Sequence, residues 1–346
     1  MKKILMVVLF LTLIIGLFFL LNSKIKVPVQ NVATTTEEPV IIGFSLGATT
    51  EERWNIDRDL FVKKAEELGA VVKVVTSNNN VNDQALEIRN LISQRVKVIV
   101  IVPASMEELS PVIQEAHDAG IKIIAYDRLI KNADIDFYLS FDNNMVGRLE
   151  AESVLKVKSS GNFAYIGGAP TDNNAFLLKE GSMLVLQEKI DSGEIRLVID
   201  ELIPDWQQDI AYSTIKTYLA NGGELDAVVA ANDGMAAGVI QALSEKGLSG
   251  QVPVSGQDAE LAACQRIVKG TQTATVYKPI YLLADRAAVA AVAVAKDLTP
   301  ETNATTNNGQ IDVPSFFLEP ILVNKDNMMA TVVKDGFHSY NDIYKK

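Results

Sequence analysis

Six short segments of the sequence carry side chains that can hold a small polar molecule by hydrogen bonds and by stacking. Each follows a run typical of a β-strand, and they are residues 52–54, 127–128, 170–174, 232–233, 256–258 and 278–279. Carboxylates accept hydrogen bonds from neighbouring hydroxyls, guanidinium groups donate two in parallel, and amides do both. The indole of Trp54 adds a flat apolar face. This mixture of groups suits a neutral ring that carries several hydroxyls.

The charges within these segments balance one another. Three cationic side chains stand against three carboxylates: Arg53, Arg128 and Lys278 against Asp127, Asp172 and Asp258. An anionic ligand would require a surplus of positive charge, and a cationic ligand would require an aromatic cage. The balance therefore favours an uncharged ligand.

A structural role competes with the binding role at several positions. Asp233 and Asn173 stand where a helix is expected to begin, and such residues commonly cap the first turn. Trp54 and Trp206 could equally pack at the rim of a domain. Each residue alone is weak evidence, so the binding interpretation depends on six equivalent turns taken together.

The elements that must position these turns alternate regularly along the chain. Short β-branched runs predict strands at residues 40–44, 71–76, 97–102, 122–126, 162–167, 196–199, 226–230, 252–255 and 273–277. Longer amphipathic runs predict helices at residues 55–68, 82–94 (capped by Asn82), 106–119, 144–157, 173–189, 207–220, 234–245 and 280–295. Apolar strands separated by helices are typical of parallel sheets covered on both faces. The sequence therefore predicts an α/β protein with two doubly wound parallel-sheet lobes and a crevice at the carboxyl ends of their strands.

Composition argues against several kinds of function. The 346 residues carry a net charge of −11 without a basic stripe, which argues against nucleic acid as a partner. The two histidines and the single cysteine show no spacing typical of a metal site. Cys264 lies in a helical pattern and is expected to be a small buried side chain. Neither a metal nor another cofactor is expected.

Catalysis has little support in the sequence. Asp127 and Asp258 could in principle act as an acid–base pair on a sugar. However, the sequence has no Gly-x-Ser-x-Gly turn, and the glycine-rich run at residues 166–170 lacks the lysine of a phosphate-binding loop. We therefore expect a binding protein and not an enzyme. The acidic pairs at residues 51–52 and 66–67 are expected to be solvent-exposed helix ends.

The first part of the chain predicts a membrane anchor. Residues 4–21 are eighteen uncharged, almost wholly apolar residues. A membrane-spanning helix needs about 20 residues and accepts as few as about 17, whereas the apolar part of a cleaved signal peptide has about 7–15. We expect an uncleaved anchor at residues 1–21, with a cleaved signal peptide as the alternative. Residues 22–39 then form a flexible tether, and the remainder lies outside the cytoplasm.

From about residue 40 to its end, the chain resembles the periplasmic sugar-binding proteins of the ribose/galactose type, and their pentose-binding members in particular. The segments that carry the resemblance keep their order along the chain: ERWNIDRDLFVKKAEELGA, AYDRLIKNADIDFYLSFDN, GGAPTDNNA, AVVAANDGMAAGVIQALSEKGLSG, SGQDAEL, GTQTATVYKP and VVKDGFH. The resemblance implies two lobes joined by a three-stranded hinge, the type I fold of periplasmic binding proteins. Residues 40–141 and 279–322 would form one lobe, and residues 142–278 and 323–346 the other.

The resemblance also implies a ligand and the residues that bind it. The ligand would be D-xylose or a related aldopentose, trapped when the lobes close. The implied binding residues are Arg53, Trp54, Asp127, Arg128, Asp172, Asn174, Trp206, Asn232, Asp258 and Lys278. The two tryptophans would sandwich the apolar faces of the sugar, while Arg128 and Asp258 would hold its hydroxyls.

Two membrane partners fit such a protein. The usual partner of this family is the permease of an ABC-type sugar importer. A permanent anchor without a cysteine for lipid attachment departs from that pattern, because transport proteins of this family are released or lipidated. That departure favours a co-receptor that presents its closed, sugar-bound form to a membrane sensor histidine kinase of a two-component system.

Overall fold

The computed structural model describes residues 39–48, 51 and 53–345. In chain order, its first elements are β1 (Ile41–Leu46), α1 (Arg53–Glu67), β2 (Val71–Thr76), α2 (Val81–Ser93), β3 (Val98–Val102), α3 (Ser110–Asp118), β4 (Lys122–Tyr126), β5 (Phe137–Phe141), α4 (Asn143–Leu155), β6 (Gly161–Gly167) and α5 (Asn173–Asp191). The later elements are β7 (Ile195–Leu202), α6 (Gln208–Ala220), β8 (Ala227–Ala230), α7 (Asp233–Glu245), α8 (Leu261–Lys269), β9 (Thr275–Tyr277), α9 (Ile280–Ala295), β10 (Ala304–Asn307), β11 (Asp312–Leu318), β12 (Ile321–Val323) and α10 (Tyr340–Tyr344). Single 3₁₀ turns occur at Pro204–Trp206 and Met328–Ala330.

The first lobe is built on a seven-stranded sheet with the order β10-β11-β5-β4-β3-β1-β2. Its strands are parallel except for the hairpin of β10 and β11 at one edge. All five residues of β3 are buried, as expected for a strand covered on both faces. The helix α9 covers one face with small side chains such as Ala284 and Ala287, which let it approach the sheet closely. This sheet brings the carboxyl ends of β1 and β4 to one edge.

One strand of this sheet lies outside the predicted pattern. β5 pairs in parallel with β4, although only residues 127–136 connect them and the connection contains no helix. A parallel pair normally needs a crossover of about a dozen residues or more, usually a helix. The sequence pattern did not predict β5 because it was interpreted as a strict alternation of strands and helices.

The second lobe contains the sheet β7-β6-β8 and the antiparallel pair β9 and β12. The predicted strand at residues 252–255 is wrong as a regular strand. That segment makes only the isolated bridges Val228–Val254 and Ser249–Val252 in the described part of the chain, and the next bridge, Gln257–Val276, connects the following turn to β9. Pro253 has no backbone N–H to donate, which interrupts the ladder. The segment still extends the lobe's sheet toward β9.

The chain passes between the two lobes at three places. It leaves the first lobe between Phe141 and Asn143, returns between Tyr277 and Ile280, and crosses again between Leu318 and Ile321. The α/β fold with two lobes and three connecting segments is the architecture expected from the sequence. The numerical lobe limits at residues 141, 278 and 322 stay a prediction.

The structure also tests several predictions that concern single residues or segments. The cap of α2 is Asn80 and not Asn82, because the Asn80 side chain accepts hydrogen bonds from the N–H groups of Asn82 and Asp83. Cys264 is buried in α8, as expected. Within residues 39–48, 51 and 53–345, no helix has the length and apolar character needed to cross a membrane. The predicted anchor and tether at residues 1–38 lie outside the described residues.

Candidate functional site

All ten side chains predicted as binding residues line one cavity between the two lobes. The space between its atoms amounts to about 300 Å³, part of it open to solvent, and it is lined by Glu51, Arg53, Trp54, Asp127, Arg128, Asp172, Asn174, Trp206, Asn232, Gln257, Asp258 and Lys278. Three cationic side chains face four carboxylates in this wall, so there is no positive surplus for an anion.

Arg53 is the centre of the charged network on the first-lobe side. It begins α1, and its Nη2 lies 2.9 Å from Asp127 Oδ2 while its Nε donates to Asp57 Oδ2 at 3.0 Å. Asp57 is fully buried one helical turn later and also accepts a hydrogen bond from the hydroxyl of Tyr126. Burial alone would lower the pKa of Arg53, but the surrounding carboxylates, Asp127 first, raise it well above its usual value. The guanidinium is therefore a fixed cation.

Arg128 joins the first lobe to the second. Its Nε lies 2.8 Å from Asp172 Oδ2, and its Nη2 lies 3.4 Å from Glu51 Oε1. Arg128 and Asp172 are both less than a tenth exposed. The preceding residue, Asp127, has a left-handed φ of 61°, and the chain turns sharply there at the end of β4. Because Arg128 and Asp172 come from different lobes, this ion pair exists only when the lobes are together.

Two tryptophans are held in different ways. Trp54 donates its Nε1–H to Glu51 Oε2 at 2.5 Å, and the guanidinium carbon of Arg53 lies 4.5 Å from its ring centroid. Trp206 ends a turn whose residues Asp205 and Trp206 have left-handed φ values of 50° and 56°. Its ring packs directly over Gly168, where a Cβ would lie 2.1 Å from the indole. Both rings are almost completely buried and thus fixed in orientation.

The remaining second-lobe residues come from helix starts and strand ends. Asn174 donates from Nδ2 to Asp127 Oδ1 of the first lobe at 3.2 Å. Asn232 caps α7 by accepting a hydrogen bond from Met235 N, so its capping role and its place in the cavity wall coexist. Lys278 Nζ lies 3.1 Å from Asp258 Oδ1 just after β9. Asp172 likewise caps α5 and lines the cavity.

Two polar atoms of the cavity-lining residues are buried without a hydrogen-bond or ion-pair partner in the described part of the chain. They are Trp206 Nε1 and Gln257 Oε1, whereas the buried Asp258 Oδ1 forms an ion pair with Lys278. Gln257 uses its amide N–H to donate to Ala231 O at 3.0 Å, which leaves the oxygen unpaired. Buried polar atoms of this kind normally have partners, because each unpaired one costs free energy. One unpaired donor and one unpaired acceptor in the wall therefore match a ligand that both donates and accepts.

A backbone contact also joins the lobes away from the cavity wall. Met106, after β3, donates its backbone N–H to the carbonyl oxygen of Thr171, after β6, at 2.9 Å. This hydrogen bond uses no side chain.

Three residues of the site were not predicted from the sequence. Glu51 was expected to be solvent-exposed; this is wrong, because its side chain is 10% exposed and lies in the cavity wall. Its neighbour Glu52 lies outside the described residues. Gln257 stands in a predicted turn but was not selected. Asp57 gave no signal except its spacing, four residues after Arg53 on the same helix face.

The fold and this site together define a class of protein. Two α/β lobes meet over a small, charged but balanced cavity, and the residues that line it form ion pairs and hydrogen bonds across the interface. This is the arrangement of two-lobed proteins that hold a small polar ligand between their lobes.

The comparisons with known proteins specify this class. Residues 42–299 match the family model described as a periplasmic binding protein domain. The chain is 51% identical over 304 residues to a D-xylose-binding periplasmic protein of Haemophilus influenzae, covering 88% of this chain and 92% of that protein. It is 49% identical over 314 residues to the D-xylose-binding periplasmic protein of Escherichia coli, covering 90% of this chain and 95% of that protein.

Solved structures show the same fold. A solute-binding protein of an ABC transporter from Clostridium phytofermentans, with bound β-D-glucose, superposes with a TM-score of 0.82 at 28% identity. The match covers 88% of this chain and 99% of that chain. The chain belongs to the periplasmic binding protein family, with the type I fold, and it is a binding protein and not an enzyme.

Proposed function

We propose that this protein binds D-xylose, or a closely related aldopentose, in the cavity between its lobes. The observation that carries the proposal is the pair of buried, unpaired atoms Trp206 Nε1 and Gln257 Oε1 in a wall without positive surplus. Hydroxyl groups both donate and accept hydrogen bonds, so a neutral sugar can satisfy both atoms. The names of the two relatives that are about half identical to this chain support D-xylose as the sugar.

The ten residues predicted from the sequence would have different roles in binding. The indoles of Trp54 and Trp206 would contact the apolar faces of the sugar ring. Arg128 and Asp258 would hold its hydroxyls, and the other cavity-lining residues would complete the hydrogen bonds. The ion pair between Arg128 and Asp172 joins the lobes, so lobe closure and sugar binding stabilise each other.

Titration calorimetry with a panel of sugars tests this proposal. We expect D-xylose to bind more tightly than D-glucose, D-ribose and L-arabinose, with one site per chain. Recovery of unchanged sugar after incubation would agree with a binding function. Absence of binding to D-xylose, or equal binding to all four sugars, would contradict the proposed ligand.

We propose delivery of the sugar to an ABC-type importer as the function of the closed form. The domain would work outside the cytoplasm, because its two relatives of about 50% identity are named as periplasmic proteins. The C. phytofermentans structure, described as an ABC transporter solute-binding protein, supports the same partner. In this reading, the permease recognises the two lobes together and the sugar is released when they separate.

A second candidate is a membrane-anchored co-receptor for a sensor histidine kinase. The specific observation in its favour is the uncharged apolar run at residues 4–21, which is long enough to anchor the domain permanently. An anchored domain would stay beside one membrane partner. The C. phytofermentans structure, described as an ABC transporter solute-binding protein, favours the importer over this candidate.

Two experiments separate the candidates. Deletion of the gene should abolish D-xylose uptake if the importer is the partner, whereas loss of D-xylose-induced transcription with normal uptake would favour the kinase. A pull-down from membranes with the full-length chain, with and without D-xylose, should recover a permease in the first case and a kinase in the second.

A further inference from the structure

A fully buried carboxylate lies behind the second-lobe side of the cavity. Asp233 is the first residue of α7, is 0% exposed and does not line the cavity. Its oxygens accept three hydrogen bonds: from Gln272 Nε2 at 2.7 Å, from Thr275 Oγ1 at 2.8 Å and from the backbone N–H of Glu260 at 3.0 Å. Helix capping of α7 is done by Asn232, so these contacts serve another purpose.

The three donors belong to the segments that carry cavity-lining residues. Glu260 N–H ends the turn that presents Gln257 and Asp258, and the run from Gln272 to Thr275 leads to Lys278. A backbone hydrogen bond from Asp233 N to the carbonyl oxygen of Gln257, at 3.0 Å, ties the same turn to α7. One carboxylate therefore connects every second-lobe cavity segment after residue 230.

The turn at residues 256–260 needs such support. Asp258 and Ala259 have left-handed φ values of 93° and 51°, a region that disfavours residues other than glycine. At Gly256 a Cβ would lie 2.1 Å from Asp233 Oδ1, so the backbone approaches the carboxylate as closely as only glycine permits. Ala259 N donates to Thr275 Oγ1 at 3.1 Å, which links the turn to the same network.

We propose that Asp233 is a positioning residue, which holds the turn that presents Asp258 to the ligand, and that its charge state couples sugar affinity to pH. This inference rests on the proposed sugar-binding function. It concerns a residue that does not itself touch the ligand.

The titration of Asp233 falls in the range where such coupling is measurable. Burial raises the pKa of Asp233 to about 7, although Arg266 and the hydrogen bonds from Gln272 and Thr275 oppose the rise. The carboxylate of Asp258 adds to the increase. Near neutral pH, Asp233 therefore exchanges between its charged and neutral forms.

The elements that pack against Asp233 carry other titratable groups. Arg266 and Cys264 lie on α8, Glu150 lies on α4, and Asp258 and Glu260 lie in the turn. Burial raises the pKa of the Cys264 thiol and of the Glu150 carboxyl. Arg266 is the cationic neighbour, and Asp258 and Glu260 are the acidic neighbours in the turn.

Protonation conflicts with the geometry because all three contacts use Asp233 as an acceptor. A proton on Oδ1 would point at the amide N–H of Gln272, whose oxygen already accepts from Arg266 Nε at 2.9 Å. A proton on Oδ2 would compete with the donors of Thr275 and Glu260. Either way a contact to the turn or to the adjoining residues 272–275 weakens, so sugar affinity should fall as pH decreases below about 7.

Calorimetry of the full-length protein with D-xylose tests the coupling. We expect the wild-type Kd to increase roughly threefold to tenfold between about pH 8.5 and about pH 5.5. Asp233→Asn is always neutral and should bind weakly at high pH, with a flatter profile. The other cavity carboxylates contribute to both proteins, so the difference between the two profiles reports Asp233. An Asp233→Asn protein with wild-type affinity and slope would overturn the proposal.

Hydrogen exchange of the backbone amides 258–260, without sugar, tests the positioning role separately. At one pH, Asp233→Asn should exchange faster there than the wild type, and Thr275→Val, which removes one donor, should do the same if Asp233→Asn fails to fold. Unchanged exchange in the folded variants would refute the positioning role. Failure to bind D-xylose at any pH would instead contradict the proposed ligand, while the exchange result would still decide the role of Asp233.

Discussion

Replacing Gly168 by alanine should weaken sugar binding through Trp206. The added Cβ would lie 2.1 Å from Cη2, 2.2 Å from Cζ2 and 2.4 Å from Cζ3 of the indole. Carbon atoms in contact prefer separations of about 3.5–4.0 Å, so the ring must retreat by roughly 1.4 Å. It has little space to do so, because Trp206 is 7% exposed and packs in the second-lobe core with Ile203 and Ala211.

The magnitude follows from the contact that is lost. Misplacing an aromatic ring against its ligand should cost about 1–2 kcal/mol, which is roughly fivefold to thirtyfold in Kd. Overpacking should also lower the free energy of unfolding by about 1–3 kcal/mol, which leaves the domain folded. Titration calorimetry with D-xylose measures the first effect, and thermal unfolding measures the second.

Gly234→Ala is the matched control. Gly234 lies in the first turn of α7, and a Cβ there would meet nothing closer than 3.7 Å. Its Kd should equal that of the wild type, and its stability should be equal or slightly higher because alanine favours the helix.

A double-mutant cycle identifies the path of the effect. If Gly168→Ala acts through the indole, it should add nothing to the loss caused by Trp206→Ala. Fully additive losses, or wild-type affinity of Gly168→Ala alone, would refute the reasoning.

Three further predictions concern the ionic network and its response to pH. Arg128→Ala leaves Asp172 buried without its cation and should cost about 2–5 kcal/mol, or roughly thirtyfold or more in Kd for D-xylose by calorimetry; unchanged affinity would mean that the cavity is misassigned. Glu51→Gln keeps an acceptor for the Trp54 indole and should change Kd by less than about threefold, whereas Glu51→Ala should weaken binding more. Burial alone would raise the pKa of Asp127, but the neighbouring cations, Arg53 first, lower it below 3.8. The charged carboxylate therefore stabilises the folded state fully above about pH 4, and this contribution to the free energy of unfolding is lost as pH falls further. Thermal unfolding from about pH 5 to about pH 3 should therefore show a smaller loss for Asp127→Asn than for the wild type; parallel curves would contradict this.

Most of the α/β architecture was predictable because apolar strands and amphipathic helices have distinct periods. Where prediction failed, the pattern itself was locally broken. β5 follows β4 without a helix, and Pro253 interrupts a strand-like run. In the edge hairpin, β10 is polar and has no buried residue, and β11 alternates exposed and buried residues only in its first half, so neither strand stood out beside the apolar inner strands.

The candidate site was accessible from the sequence to the extent that its residues follow predicted strands. Polar residues at the carboxyl ends of parallel strands must share an edge of the sheet, and this reasoning together with the family resemblance selected ten residues that meet in one cavity. Glu51 was missed because a pair of acidic residues before a helix is usually solvated. Its burial depends on Trp54 and Arg128, which only the folded chain brings to it.

The role of Asp233 could not be predicted from the sequence for a similar reason. The sequence permits a cap, a ligand contact or a buried anchor at the residue after Asn232. Only the positions of Gln272 and Thr275, about forty residues further along the chain, distinguish these roles. Long-range side-chain contacts of this kind leave no periodic signal.

The hydrogen bond between Met106 N and Thr171 O makes a constant contribution to the equilibrium between the open and shut forms of the protein. It joins the lobes through the backbone alone, so it favours the shut form to the same extent whether the cleft is empty or filled. A fraction of the protein is therefore shut even without sugar, and a partner that recognises the shut form can bind this fraction. As this fraction increases, a lower sugar concentration is needed to bring half of the protein into the shut form. Substituting side chains cannot remove this contribution directly. Arg128 and Asp172 contribute to the same equilibrium through their side chains, so substitutions there change the fraction of shut molecules while the contribution of the main chain stays the same.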